Sequence, residues 1–453
     1  MNYRNFFQEV LKEDYSLQDI RDIRSFLTEK GTFHFSGFDN GLFPAAIAAD
    51  AKNTGYKNVW VRDNIYVAYA HYVLGQPEVT AKNLWALMAY FKKFRFRFEA
   101  AVDTQRKPYS AMERPNIRFN GRELTELDEP WEHAQNDALG YFLWLFCKLH
   151  TEAKQGIEGR LQTEDWEMLA LFPLYFQAIR YWDDEDSGHW EEEPKIEASS
   201  IGAVIAGLKA LRVLLNESSQ GIQYCQYKNE VVGIEFLDEL IARGSSALDN
   251  ILPWECVQRS KQRRYDGALL FLIYPLNVVN GDMAEQIISD VTNHLQGEVG
   301  IRRYLNDTFW CRDFQDLPRN IQTSKHTDRQ KWFDQNNKKI SLGEEAQWCI
   351  FDPILSSIYG YRFQTLKRED AIFIKQVKYL NRSLRQVTDR DFQVKTKLAD
   401  GTAETIEIEV FKCPELYFIQ KGHYIPNVST PLLWTQANLL IALEMMEQSL
   451  RLI

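Results

Sequence analysis

Three consecutive carboxylates stand beside a tryptophan in residues 187–200, directly before an apolar helical pattern. Glu191, Glu192 and Glu193 follow Trp190 in this stretch. A carboxyl group that its surroundings keep protonated can donate a proton to the leaving oxygen of a sugar. Glutamates at the start of a helix also interact favourably with the positive end of the helix dipole, so a purely structural interpretation exists. The remainder of the chain has to decide between the two.

Four further segments place a charged side chain beside an aromatic ring where a loop meets a helix: 58–64, 131–137, 300–307 and 413–417. Asp and Arg bind vicinal hydroxyls through forked hydrogen bonds, while Trp or Tyr forms the wall of a sugar site. Each segment also has a structural interpretation, such as a helix cap or a solvated charge. Their joint occurrence favours a sugar-binding site.

The composition is that of an ordinary globular protein, with 45% hydrophobic and 26% charged residues among 453. Its 12 Trp, 21 Tyr and 27 Phe are numerous enough to supply both a core and flat walls for pyranose rings. The net charge of -10 argues against nucleic acid as a partner, because phosphates attract a basic surface.

Targeting and metal signals are missing from the sequence. The first residues contain acidic side chains and no long apolar run, which predicts neither a signal peptide nor a membrane span. The six cysteines are scattered, and the eight histidines show no His-Glu-x-x-His pattern. We therefore expect a cytoplasmic protein with reduced thiols, no catalytic metal and no cofactor, and we leave a structural calcium ion open.

Apolar residues recur every three or four positions in about twelve segments, which predicts an all-α protein. Several segments, such as 142–147 and 269–274, are apolar on every face and must be buried on most sides. Twelve helices of which half are buried suit a double ring, the (α/α)6 toroid or barrel, in one domain over residues 1–453. The predicted segments are the N-terminal one, 61–75, 80–98, 131–150, 164–182, 201–215, 234–249, 266–275, 282–295, 345–360, 367–383 and 431–442.

Helix starts and two irregular regions complete the prediction. Ser199 or Ser200 suits the N-cap of the helix that follows, and Pro431 behind Thr430 suits the first turn of the last one. Alternating residues around an Ala-Asp-Gly turn predict a small β-hairpin near 391–411. Residues 312–340 are polar and poor in helix signals, which is typical of a functional lid or a disordered segment.

The motifs together resemble glycoside hydrolase family 15, the glucoamylase family, and especially its branch with the α and β subunits of phosphorylase kinase. Residues 59–64 resemble the family's tryptophan-x-arginine-aspartate motif, and Trp190-Glu191-Glu192 resembles the segment with its general acid. Residues 197–202, 345–348 and 414–417 resemble the kinase-subunit branch. The matches follow the family order from about residue 40 to 445, and the resemblance implies the same toroid.

The resemblance implies roles for individual residues. Glu191 becomes the general acid and Glu415 the general base of a reaction that inverts the anomeric carbon. Trp190, Glu192 and Glu193 are expected to raise the pKa of Glu191. Arg62 and Asp63 are expected to hold the outer hydroxyls of the terminal sugar, with Arg303 on the opposite edge. The remaining substrate-binding candidates are Trp60, Trp131, Asp137, Trp190, Glu192, Glu345 and Trp348.

One departure keeps alternatives open. Leu416 and Tyr417 follow Glu415 where glucoamylases usually have glutamine, so Glu345 is held in reserve as the base. We expect an exo-acting hydrolase that releases glucose from non-reducing ends of soluble α-glucans or oligosaccharides. An α,α-trehalase on the same scaffold and a glucan-sensing regulatory protein are the alternatives. The presence of both carboxylates favours an enzyme, and assembly into a homo-oligomer is left open.

Overall fold

The structure is a computed structural model that describes residues 10–47, 55–152, 161–258, 262–366, 368–397 and 402–453. Six of its helices form an inner ring, in which each helix packs on the next and the last packs on the first. The inner helices are α2 (Val61–Val73), α5 (Asn136–Glu152), α7 (Ala198–Glu217), α10 (Leu269–Ile273), α14 (Phe351–Thr365) and α16 (Leu433–Leu450).

A second set of helices surrounds this ring, one beside each inner helix. The outer helices are α1 (Leu17–Glu29), α3 (Pro77–Lys93), α6 (Thr163–Ile179), α9 (Ile234–Ile251), α11 (Gly281–Asp290) and α15 (Asp370–Arg385). Four shorter helices lie in connections: α4 (Phe96–Thr104), α8 (Ser219–Tyr224), α12 (Arg319–Gln322) and α13 (His326–Gln335). The predicted (α/α)6 toroid is confirmed.

The two rings follow from two kinds of hydrophobic pattern. Helix α5 buries every residue from Asn136 to Cys147, because it has neighbours on all sides. Helix α9 buries one stripe along its length and exposes the rest, as an outer helix should. Helices α5 and α7 approach closely at Gly140 and Gly207, where an added Cβ on Gly207 would lie 2.8 Å from the Gly140 carbonyl oxygen. Larger residues there would push the inner ring apart.

Short strands connect the helices at the N-terminal end of the inner ring. One sheet pairs β1 (Val59–Trp60) with β2 (Arg118–Asn120) and β2 with β3 (Thr125–Glu126). Another has the order β10 (His423–Pro426), β9 (Leu416–Gln420), β6 (Gln347–Trp348). Strands β4 (Gln226–Tyr227) and β5 (Glu230–Val231) form a separate pair.

The predicted hairpin is formed by β7 (Phe392–Lys397) and β8 (Ala403–Ile408), which pair antiparallel from Phe392 and Ile408 onward. Its predicted Ala-Asp-Gly turn lies outside the described residues. The segment 312–340 contains helices α12 and α13, so the expectation of a helix-poor loop there is wrong.

Two predicted helix starts are also wrong. Helix α7 begins at Ala198 with Glu197 at the cap position, because the Ser199 hydroxyl donates to the buried Glu255 carboxylate instead. Helix α16 begins at Leu433, since the extended residue Leu432 donates its N–H to the Cys413 carbonyl at 3.0 Å. Among the described helices, α7 is long and apolar enough to cross a membrane, but most of it is buried inside the fold.

Candidate active site

A cavity of about 770 Å³ opens at the N-terminal end of the inner ring. Helix starts and the loops before them surround it, so a residue at the beginning of an inner helix faces its interior. Of the twelve predicted site residues, ten line this cavity and two lie behind its wall. The ten are Trp60, Arg62, Asp63, Trp131, Trp190, Glu191, Glu192, Arg303, Trp348 and Glu415.

Glu191 lies on the loop before α7 with a left-handed backbone, at φ 57°. The Trp60 indole Nε1 donates a hydrogen bond to its Oε1 at 2.9 Å. Burial raises the pKa of Glu191, while the positive charges of Arg62 and Arg118 act to lower it. The carboxyl is therefore held toward its protonated form, which a proton donor requires.

Arg62 fixes this loop from behind. It donates to Asp137 Oδ2 at 2.6 Å, to Gln135 Oε1 at 2.8 Å, and to the backbone carbonyls of Gly188 and His189 at 3.0 and 3.2 Å. All these groups are buried. Most of the Arg62 N–H groups are thereby used within the protein, so its main contact is with the loop of Glu191.

Glu192 and Glu193 point toward a different part of the molecule from Glu191. Glu192 accepts hydrogen bonds from Arg329 at 2.9 Å, from Arg303 at 3.2 Å and from the backbone N–H of His326 at 2.9 Å. Burial, rather than these neighbouring carboxylates, is the leading cause of the raised pKa of Glu191. The expectation that the neighbouring carboxylates raise that pKa is therefore corrected.

Glu415 lies immediately before β9, and its backbone carbonyl accepts the Cys349 N–H at 2.9 Å. The Tyr56 hydroxyl donates to its Oε1 at 2.8 Å, and the Asn427 side-chain amide donates to its Oε2. Burial raises the pKa of Glu415, and the hydrogen bonds from Asn427, Tyr56 and Ser429 lower it. These donors favour the carboxylate form, which a general base requires.

The two carboxylates are linked by an aromatic pair and share a third acidic neighbour. Tyr56 and Trp60, which bond to Glu415 and Glu191 respectively, are in edge contact with ring centroids 5.2 Å apart. Asp63 is close enough to both that each raises its pKa. Burial is the largest cause of the shift, the charge of Arg62 opposes it, and the charges of Glu191 and Glu415 add to it. Together they raise the pKa of Asp63 to about 7.

Arg303 lies among aromatic rings on another wall of the cavity. Its guanidinium carbon is 5.4 Å from the Trp190 ring centroid and 5.0 Å from that of Trp348. Asp307 holds it with two hydrogen bonds, at 2.6 and 2.8 Å. Trp131 also lines the cavity and stacks on Arg118, whose guanidinium carbon lies 4.1 Å from its ring centroid. Flat rings and fixed charges thus surround the space between the carboxylates.

Asp137 and Glu345 are buried but do not line the cavity. Asp137 is the partner of Arg62, as described above. Glu345 accepts the backbone N–H groups of Asn306 at 2.9 Å and Gly343 at 2.8 Å, and it pairs with Arg302 at 3.1 Å. It therefore shapes the loops around 302–306 and has no access to the space that Glu415 faces.

Several residues of the site were missed in the sequence. Tyr56 and Asn427 contact Glu415 from positions 359 and 12 residues away along the chain, so no local pattern connects them to it. Trp434, in the first turn of α16 and within the predicted segment 431–442, also lines the cavity. Within the described ranges, no group of three or more His, Cys, Asp or Glu side chains is placed to hold a metal ion.

A closed double ring of helices with two buried carboxylates at the N-terminal end of its inner ring is the architecture of (α/α)6 glycoside hydrolases. The model of the family described as "Glycosyl hydrolases family 15" matches residues 29–440. The chain belongs to this family.

Solved structures show the same fold. A glycosidase variant in complex with glucose has a TM-score of 0.64 at 18% identity, covering 95% of this chain and 97% of that one. The glucoamylase from Saccharomycopsis fibuligera has a TM-score of 0.59 at 13% identity, covering 96% of this chain and 97% of that one.

The similar curated proteins are regulatory subunits. The liver isoform of the phosphorylase b kinase regulatory subunit alpha from Takifugu rubripes is 23% identical over 343 residues, which cover 70% of this chain and 25% of that protein. A probable alpha subunit from Caenorhabditis elegans is 23% identical over 424 residues, or 84% of this chain and 30% of that protein. The chain therefore matches only a quarter to a third of their length.

Proposed function

We propose that this protein is an inverting, exo-acting α-glucoside hydrolase that releases glucose from the non-reducing ends of soluble α-glucans or oligosaccharides. The observation that carries the proposal is that Glu191 and Glu415 face one cavity with different hydrogen-bond donors. One accepts from an indole at the edge of a loop, and the other accepts from a hydroxyl and an amide. The two environments suit one acid and one base.

The reaction follows from this assignment. Glu191 donates its proton to the glycosidic oxygen as the bond from that oxygen to C1 breaks. A water molecule attacks C1 from the opposite face, and Glu415 accepts the proton that this water releases. Such an inversion needs carboxyl groups about 6.5–9.5 Å apart. The product is β-glucose, and Glu191 is left ionised while Glu415 is left protonated, so one proton returns through solvent.

The shape of the cavity supports attack at a chain end. The ends of the inner helices close its floor, where Trp60, Asp63 and Trp434 lie. Behind this floor the ring is filled by buried side chains of the core, which favours entry of a chain by its end and cleavage of the bond next to the terminal unit. Asp63 lines the cavity and is assigned to the outer hydroxyls of that unit, whereas Arg62 holds the loop of Glu191.

The decisive assay follows glucose released from maltose, maltotriose and α,α-trehalose by the purified protein, with the anomer of the fresh product read by NMR. We expect β-glucose from the maltooligosaccharides. Release of α-glucose would contradict inversion, and cleavage of trehalose alone would replace the substrate by that of a trehalase. Absence of release from every α-glucoside would contradict hydrolysis.

A second function is favoured by the kinase subunits among the relatives. In it the cavity binds a glucan end without efficient turnover and reports its presence to a partner. Calorimetry with maltotriose separates the two, because a sensor binds the sugar but leaves it intact. We further propose a cytoplasmic place for the protein and a role in polysaccharide breakdown. Sedimentation at several concentrations tests the open question of a homo-oligomer.

A further inference from the structure

One side of the cavity is formed by a segment that the catalytic pair does not explain. Residues 314–335, named here the lid segment, contain α12 and α13 and form part of the cavity wall. Strand β7 supports the segment, since Lys397 donates to the Leu317 carbonyl at 3.0 Å. The lid side chains that line the cavity are Phe314, Gln315, Arg319, Gln322, Thr323, Ser324, Lys325 and Arg329.

The first turn of α13 is held by the two residues that follow Glu191. Glu192 accepts the His326 N–H at 2.9 Å, and Glu193 accepts the Thr327 N–H at 2.6 Å. Burial acts to raise the pKa of Glu193, but the hydrogen bonds from Thr327 outweigh it and lower that pKa. Two carboxylates at the positive end of a helix thereby attach the lid segment to the loop of the proposed acid.

Two ion pairs complete this attachment. Arg329, on the next turn of α13, donates to Glu192 Oε1 at 2.9 Å. Lys325 bridges to Glu132 at 2.5 Å, which joins the lid segment to the Trp131 wall of the cavity. The position of the lid segment and that of Glu191 are thus set by the same short loop.

Resting on the proposed function, we propose that the lid segment forms the binding site for the leaving group, and that Glu193 is a positioning residue which docks it beside Glu191. Glu192 already has three donors from the protein and is poorly placed to receive more from a sugar. Arg319 donates to the Gln322 side-chain oxygen at 3.3 Å and lines the cavity. Because Lys325 is engaged with Glu132, Arg319 is the lid cation that we assign to hydroxyls of the departing sugar.

The experiment compares two substrates that share the glucosyl unit. The leaving group of maltose is a sugar. The leaving group of α-glucosyl fluoride is a fluoride ion, which departs with little help from an acid. We expect Glu193→Ala to lower kcat/KM for maltose about five- to tenfold, and that for the fluoride less than twofold, because one charged cap is lost. Glu193→Gln keeps an acceptor for Thr327 and is expected to lie between this variant and the wild type.

Glu344→Ala is the matched control. Glu344 pairs with Arg312 at 2.6 Å and accepts the Ser341 N–H at 2.9 Å, in a neighbouring loop away from Glu191. We expect it to leave the ratio of the two kcat/KM values unchanged. Two results would overturn the proposal. One is a loss of kcat/KM in Glu193→Ala that is the same for both substrates, and the other is a change of the ratio in Glu344→Ala as large as that in Glu193→Ala.

Hydrogen exchange gives a reading that does not need turnover. Amides of α13 should exchange about tenfold faster in Glu193→Ala than in the wild type, and maltose should slow them in the wild type. If the wild type cleaves neither substrate, the proposed function fails while exchange still decides whether Glu193 docks the lid segment. Unchanged exchange in Glu193→Ala, or no effect of maltose on α13, would overturn the inference even in an active enzyme.

Discussion

The two carboxylates of the cavity are held in contrasting ways. Glu191 lies on a loop with a left-handed backbone, and the loop is fixed by the distant side chain of Arg62. Glu415 immediately precedes β9, which pairs with β6. Its backbone carbonyl accepts the N–H of Cys349, the residue that follows β6. A charge from another helix sets the first position, whereas a β-ladder sets the second.

The proposed mechanism requires the two carboxyl groups to be in opposite protonation states, and the difference between their surroundings bears on that requirement. Both are raised in pKa by burial. Tyr56 and Asn427 donate to the carboxylate form of Glu415, whereas Glu191 depends on the indole of Trp60 and on charges from Arg62 and Arg118. The donors and charges around each carboxyl group should therefore decide how a mutation changes its pKa.

The largest effects are expected from removing either carboxyl group. Glu191→Gln and Glu415→Gln should each reduce kcat for maltose about 10²–10⁴-fold, the usual contribution of one acid or base. Their behaviour with α-glucosyl fluoride separates them, because fluoride leaves with little protonation. We expect Glu191→Gln to retain most of its fluoride hydrolysis and Glu415→Gln to lose it. Both rates are measured as initial velocities at saturating substrate.

Equal losses with both substrates in Glu191→Gln would contradict its role as proton donor. Glu345→Gln is a suitable control, since Glu345 is buried but holds backbone N–H groups outside the cavity. A fluoride defect in that variant larger than the one in Glu415→Gln would assign the base to Glu345.

Arg62→Met should affect stability most. It leaves Asp137 buried without its main partner, at 2.6 Å in the wild type, and releases the carbonyls of the acid loop. Losing one partner of a buried ion pair costs about 3–5 kcal/mol in the free energy of unfolding. Urea unfolding followed by tryptophan fluorescence measures the loss.

The double variant Arg62→Met with Asp137→Leu distinguishes an unpaired charge from lost packing. If the unpaired Asp137 carboxylate causes the loss, the double variant should be more stable than Arg62→Met alone. An exposed pair provides the second control: Arg212→Met removes the contact with Asp238, at 2.5 Å, and should leave the unfolding midpoint unchanged.

The fold was more accessible from sequence than the cap positions were. Six helices apolar on all faces required an outer ring, and that requirement follows from periodicity. The start of α7 could not be derived from periodicity, because Ser199 bonds to Glu255, a residue 56 positions further along the chain. The helices of the lid segment were missed for a related reason, since α13 is held by Glu192 and Glu193 from another loop.

The site residues divide along the same line. Residues in short motifs, such as Arg62 and Glu191, could be named because charged and aromatic groups stand together in the sequence. Their partners could not: Tyr56 and Asn427 meet Glu415 only after the ring closes. Periodicity also cannot separate a lining carboxylate from a supporting one, which is why Asp137 and Glu345 were predicted with the others.

A pH-dependent effect is expected beneath the acid loop. Glu197, Glu255 and Asp266 share Arg263, which donates to Glu197 at 2.9 Å and to Asp266 at 2.7 Å. Burial is the main cause that raises the pKa of Glu197 to about 7. A folded pKa above the unfolded value means that this stabilisation is complete below about pH 4.5 and is lost as the pH rises through 7.

Glu197→Gln cannot ionise, so its stability relative to the wild type should improve by about 2–3 kcal/mol between pH 5 and pH 8. Urea unfolding at both pH values measures this difference. Titrating groups outside this cluster act equally in both proteins and cancel in the comparison, whereas the Glu255 pKa, which the Glu197 charge helps to raise, falls in the variant. An unchanged difference across this range would show that Glu197 is ionised at both pH values.

The smallest and most selective effects are expected from the two aromatic donors. Tyr56→Phe removes a hydrogen bond that lowers the pKa of Glu415, so that pKa should rise and the acidic limb of kcat/KM should move up by about half a unit to one unit. Trp60→Phe removes one of the two side-chain donors, with Gln135, that lower the pKa of Glu191, so the alkaline limb should move up instead. Each pH profile of kcat/KM is measured with maltose from about pH 3 to about pH 9.

Because the Tyr56 and Trp60 rings touch, either substitution can disturb the other ring. The double variant should move both limbs by the sum of the single shifts. Movement of the alkaline limb alone in Tyr56→Phe would exchange the roles of the two carboxylates, since a donor acts first on the group that it contacts.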